Sequence, residues 1–140
     1  KDYFIDKDQK TFNLERIIEF LQEKGIGFFD AATAVRRLKN NASDQFLEII
    51  ESTNISNLLE QIPECKIIAV TAQKAAEAVC DSLMLKEIPT IGHYILSPKT
   101  SMNNREIVIY RLPSTSRAYP LSLENKALEY KAMFRFAGLL

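Results

Sequence analysis

The residues best equipped for chemistry are consecutive. Positions 113 to 120 read Pro-Ser-Thr-Ser-Arg-Ala-Tyr-Pro, placing three hydroxyls, free backbone amides and one guanidinium side by side. Hydroxyls and amides donate hydrogen bonds, and a guanidinium adds charge-assisted ones, so Pro113, Ser114, Thr115, Ser116 and Arg117 form a kit for gripping a phosphodiester. Two other polar segments carry suitable residue types. One is Asp30, followed by the basic stretch with Arg36, Arg37 and Lys39; the other is Thr71-Ala72-Gln73. Each has a plainer reading. The 113–120 segment also suits a solvated connection with Ser122 as a helix cap, Asp30 suits a strand-end cap, and the basic stretch suits a solvated face equally with a DNA-facing patch. His93, the sole histidine, stands between Gly92 and Tyr94 with no acid or nucleophile near it in sequence, which points to a structural role and away from a Ser-His-Asp triad.

These segments must be positioned by regular elements. Residues 1–12 show no clean period and read as an arm. Asn13 can cap a helix whose Leu14, Ile17, Ile18 and Leu21 follow helical spacing, with Gly25 as its stop. Ile26-Gly27-Phe28-Phe29 is a short apolar run of the kind found in a strand buried on both faces, with Asp30 at its C-terminal end. Phe28 and Phe29 are then core residues before they are a base-stacking platform. Ala31 to Ala42 reads as a crossover loop or irregular helix. Ser43 and Asp44 open a helical pattern through Phe46, Leu47 and Ile50; Asn54 opens another through Ile55, Leu58, Leu59 and Ile62, ended by Pro63.

Cys65 to Thr71 is the clearest buried strand, and Ala72, Ala75, Ala76 and Val79 continue it as a helix, a βα unit. Ile91 to Leu96 and Glu106 to Leu112 flank a PKTSMNN turn, which predicts a hairpin. A last helix presents Leu123, Ala127, Tyr130, Phe134 and Ala137, with Gly138 as its stop. The alternation predicts an α/β fold, a three-layer sandwich with a mainly parallel central sheet flanked by helices. In open sheets of this type ligands sit beyond the C-terminal strand ends, where all three polar segments are expected to meet.

Bulk properties narrow the function. With 140 residues, 46% apolar and 26% charged, the chain fits one domain over residues 1–140. Eighteen basic residues balance eighteen acidic ones, so no global field draws the chain to nucleic acid and any such binding must be local. Cys65 and Cys80 lack CxxC spacing and companion histidines, which argues for buried thiols and against a zinc site or disulfide framework. No apolar run approaches the roughly 20 residues a membrane span needs, and KDYFIDKDQK has no signal-peptide core, so a cytoplasmic location is expected. Four glycines leave little room for a phosphate-cradling glycine loop, which disfavours a small-molecule enzyme on a flavodoxin-like sheet. The chain opens on Lys1 and reads as a processed product or a piece of something longer.

LPSTSRAY, residues 112–119, resembles the second motif, LPSTSPA, of the uracil-DNA glycosylase superfamily, in the branch with mismatch-type and hypoxanthine-removing members. GIGFFDAATAVRR resembles that branch's GI-L-W-D segment and the arginine after it, and VTAQKAAE its strand-to-helix unit; the order agrees over residues 14–140. The resemblance implies a DNA repair glycosylase that flips a damaged base, uracil or hypoxanthine, and hydrolyses its N-glycosidic bond without metal or cofactor. It assigns Ser114, Thr115 and Ser116 to phosphates, Arg117 to a wedge or phosphate role, Arg37 to DNA and Pro113 to stiffening the loop. Asp30 becomes the candidate carboxylate for an oxocarbenium-like transition state. Leu112 stands where uracil-specific enzymes have a histidine, as in the mismatch and hypoxanthine branch. The family's first motif, with its water-positioning Asp or Asn, has no counterpart in residues 1–12. That predicts either further residues ahead of Lys1 or a homodimer formed through an open sheet edge, and an inactive chain in this form. The rival expectation is a non-catalytic α/β module binding nucleic acid, a nucleotide or a protein through the Pro113–Tyr119 loop.

Overall fold

The computed structural model describes residues 3–38, 47–99 and 105–140. It is mixed α/β, with four helices and three small sheets among the described residues. The arm contains a short antiparallel pair, β1 (Ile5–Asp6) with β2 (Thr11–Phe12), closed by an Asx turn in which Asp6 Oδ1 accepts from the amides of Asp8 and Gln9. Helix α1 (Leu14–Lys24) starts and stops as its sequence requires. Asn13 Oδ1 accepts from Arg16 N at 3.0 Å, and Gly25 takes the left-handed conformation that glycine enters without steric cost. Its apolar stripe is nevertheless only half covered: Ile17 and Leu21 are partly buried, Leu14 is 67% exposed, and no residue of the helix is fully buried.

Three expectations change in the next stretch. Residues 26–30 form no strand, and Phe28 is 81% exposed. A strand buried on both faces needs neighbours on both edges, and none of the described strands pairs with this run. The expected irregular connection contains a regular strand, β3 (Ala32–Arg37), paired antiparallel with β4 (Leu47–Ser52), which replaces the helix expected through Leu47 and Ile50. The β-branched Thr33, Val35, Ile49 and Ile50 favour a pleated pair, and cross-strand pairing of Val35 with Ile49 outweighs a helical spacing that rests on few positions. Lys39, Asn40, Asn41, Ala42, Ser43, Asp44 and Phe46 lie outside the described residues, as does the 100–104 part of the expected hairpin turn.

From Thr53 onward a core forms. Asn54 caps α2 (Ile55–Gln61), which buries Ile55 and Leu59, and the Arg105 guanidinium donates to the carbonyls of Leu59, Ile62, Pro63 and Cys65 at its C-terminal end. Strand β5 (Ile67–Thr71) leads into α3 (Gln73–Ser82); β6 (Tyr94–Leu96) and β7 (Val108–Leu112) form the expected antiparallel pair, and α4 (Leu123–Phe136) follows. The sheet order is β5-β7-β6, with β5 and β7 parallel from Ile67 opposite Val108 to Thr71 opposite Leu112. It is a mixed sheet, one parallel pair and one antiparallel. Ile68, Val70 and Ile109 pack against α2 and α3 on one face; Ile67, Val108, Tyr110 and Leu112 pack against Tyr130, Met133, Phe134 and Ala137 of α4 on the other. Tyr130, Phe134 and Ala137 of the expected α4 stripe pack inward, joined by the buried Lys126 and Met133, while Leu123 and Ala127 face solvent.

Candidate phosphate-binding loop

Two of the three polar segments meet. Thr71 and Leu112 are register partners at the C-terminal ends of parallel strands, so Ala72-Gln73 and Pro113-Ser114 leave the sheet at one pole. Arg111, two residues before the loop, reaches the first of them. Its side chain lies on the α3 face of β7, donating to the Gln73 side-chain oxygen and, at 3.1 Å, to the Pro89 carbonyl. Gln73 in turn donates to Glu77 at 2.8 Å. Ala72 begins α3 at φ 82° and ψ 164° and gives no side-chain cap, which leaves the first amides of the helix at this pole.

The loop itself is built from local turns. Pro113 is fully buried, and its carbonyl accepts from Tyr130 Oη at 3.2 Å. Ser114 Oγ accepts from Ser116 N and Ser116 Oγ from Ala118 N, both at 3.2 Å, so each hydroxyl keeps its own proton to donate. Thr115, Ser116, Arg117 and Ala118 are exposed. Among the described residues no hydrogen bond engages the amides of Ser114, Thr115 or Arg117, or the Arg117 guanidinium. Lys126 reaches up from α4: it is 9% exposed, its Nζ donates to the Ser116 carbonyl at 2.6 Å, and the Tyr119 ring lies 5.5 Å away.

The cations toward this pole lack carboxylate partners. Arg111, Arg117 and Lys126 make no ion pair with a carboxylate among the described residues, and Arg111 Nε is buried without a partner. The charge of Arg111 is felt by Cys80, whose thiol is pushed up by burial and by Asp81 and drawn back by that guanidinium. Burial also raises the Tyr130 hydroxyl. Lys126 is the buried one of the three, and a buried cation is ordinarily paired, so an anion brought near it would be favoured.

No protein-family model, curated protein or solved structure matches the chain.

Asp30 is not part of this pole. Its carbonyl accepts from Thr53 Oγ1 at 2.6 Å, and Thr53 adjoins the α2 cap, where Ile55 N meets Ser82 Oγ at the C-terminal end of α3. The length of α3, roughly 15 Å for its ten residues, separates that end from the loop. The strand that was to aim Asp30 is absent, so the residue falls beside the hairpin root instead. A shallow hollow of about 540 Å³ opens there, lined by Thr53, Asn54, Asp81 and Ser82 among others, with no loop residue in its wall. Arg37 stands on β3 opposite Leu47, at the end of the hairpin remote from its root. His93 sits in a tight turn, with Nδ1 3.2 Å from Thr90 Oγ1 and 3.1 Å from the Ile91 carbonyl. Among the described residues no group of His, Cys, Asp and Glu gathers as metal ligands, and no helix is long and apolar enough to cross a membrane.

Sequence reasoning passed over Lys126, Tyr130 and Arg111 as contributors to the site. The signals were available: an arginine inside the apolar strand VIYRL, and a lysine on the 126-130-133-137 stripe of the last helix.

Proposed function

We propose that this chain is a DNA-binding domain of the uracil-DNA glycosylase kind, which grips a phosphodiester with residues 113–117 and flips a damaged base for hydrolysis. The observation that carries the reading is the pole itself. A hydroxyl-rich loop, an uncapped helix start and three cations with no carboxylate partner among the described residues lie toward the C-terminal ends of the parallel strands, Arg111 on the α3 side of the sheet and Lys126 on the α4 side. Phosphate is the anion that such donors suit, and a local patch of this kind is what DNA affinity requires in a chain of zero net charge. Packing of α2 and α3 on one sheet face and α4 on the other supports a three-layer sandwich. The outer edge of β5, unpaired among the described residues, supports a further strand there, from the same protein or from a second copy.

One observation favours the non-catalytic module. Asp30, the candidate carboxylate for catalysis, lies at the opposite pole, and among the described residues the loop's own hydrogen bonds reach no carboxylate. The test is two assays on one set of end-labelled duplexes carrying uracil, hypoxanthine or a mismatch: salt-dependent binding, and strand scission after alkali. Binding should weaken as salt rises, and Arg117→Ala should lower the slope of log affinity against log salt by about 1, while His93→Ala leaves it in place. Scission establishes the glycosylase; binding without scission establishes the non-catalytic module; no binding removes the loop from the account.

A further inference from the structure

Lys126 is expensive where it stands. Lys126, nine-tenths buried as a residue, lies in the first turn of α4, at the positive end of the helix dipole, with one hydrogen bond, the Tyr119 ring 5.5 Å from its Nζ, and no carboxylate partner among the described residues. Four residues on, and so on the same helix face, the half-buried Tyr130 sends its hydroxyl to the carbonyl of Pro113. Both side chains donate to loop carbonyls from the α4 side, Lys126 to that of Ser116, which also accepts from Tyr119 N at 3.2 Å, and Tyr130 to that of Pro113.

In a planar trans peptide the carbonyl and the following N–H point in opposite directions. The Ser116 carbonyl shares its plane with the Arg117 amide, and the Pro113 carbonyl shares its plane with the Ser114 amide. Pulling both carbonyls inward therefore turns both amides outward, and these are amides that no partner engages among the described residues. They flank the hydroxyls of Ser114, Thr115 and Ser116. We infer that Lys126 and Tyr130 are positioning residues: they fix two peptide planes so that the Ser114 and Arg117 amides, with the intervening hydroxyls, form a backbone cradle for a phosphate oxygen.

The inference rests on the phosphodiester reading above, and its test separates the two. In the first arm, the amide resonances of Ser114 and Arg117 are followed while inorganic phosphate is titrated into the full chain. They should shift in the wild-type chain and in Lys126→Arg, which keeps a donor to the carbonyl, and lose the shift in Lys126→Met. Unmoved wild-type amides, or equal shifts in Lys126→Met, would overturn the cradle whatever the chain does with DNA. In the second arm, oligonucleotide affinity is measured against salt. Lys126→Met and Tyr130→Phe should each lose roughly tenfold in affinity with an unchanged salt slope, because a positioning residue touches no phosphate. A slope lowered by about 1 in Lys126→Met would make the lysine a direct phosphate contact and end its positioning role. Tyr130→Phe keeps the ring that packs on the sheet, so its loss of affinity with retained near-UV dichroism cannot be put down to unfolding.

Discussion

Helices α1 and α2 begin in the same way and end in different surroundings. Asn13 and Asn54 each accept a 3.0 Å bond from the amide three residues on, yet α2 buries Ile55 and Leu59 while α1 buries nothing. The contrast extends to the whole chain. Among the described residues every buried side chain lies at Thr53 or later, whereas Leu14, Ile18, Phe28, Phe29, Val35 and Ile50 in the earlier part are exposed. The chain exposes 10,329 Å². A compact monomer of its mass exposes about 7,400 Å². Caps and period decide that an element exists; whether it is covered depends on a complementary face elsewhere, and residues 53–140 supply one to each other.

The sharpest way to break this comparison is a matched pair of truncations. Ile109→Ala, in the middle of the sheet, should cost about 2–5 kcal/mol in urea denaturation. Phe29→Ala should stay within about 0.5 kcal/mol, as at a surface site. Equal losses would mean that the early segment belongs to the same core. The caps give a finer version. Asn54→Ala should remove about 1 kcal/mol of global stability, while Asn13→Ala lowers far-ultraviolet helicity and leaves the denaturation midpoint in place. A displaced midpoint in Asn13→Ala would join α1 to the cooperative unit.

The smallest effect is one of pH. Burial lifts the Tyr130 hydroxyl above its ordinary 10.0; burial and then Glu129 lift that of Tyr110; burial and then Asp81 lift the Cys80 thiol above 9.0. In each case the fold prefers the neutral, protonated form. The stability these groups contribute is therefore whole below about pH 9 and declines as pH rises through the raised values. Denaturation midpoints measured from pH 8 to 11 should fall only in the upper part of that range, and Tyr130→Phe should flatten part of the fall.

Much of the later half was legible because its signals agree with one another. Asn54 and Pro63 bracket α2, the run Ile67-Ile68-Ala69-Val70 is apolar as a strand packed on both faces must be, and Ser122 starts α4. The earlier half misled because Ile26 to Phe29 has the composition of a buried strand without the neighbours that make one. The segment around Leu47 and Ile50 likewise fits a helix until β3 offers it a partner. At the site, the loop was legible from its hydroxyls, but its supports were not. Lys126 reads as an ordinary charge on a helix surface until the packing of α4 under the loop buries it, and Asp30 reads as a strand-end residue until the strand is found to be missing.

Ala72 carries a consequence in time. At φ 82° and ψ 164° it occupies a region that glycine enters freely and a side chain enters at roughly 1–3 kcal/mol, and it does so between β5 and the first turn of α3. Whatever strain is held there is released when that turn lets go, so the energy needed to open the junction is lowered by the same amount. Transient opening of the well-packed half is thus biased to begin at the head of α3, beside the loop that would receive a ligand, and a bound anion that closes on those amides would slow it.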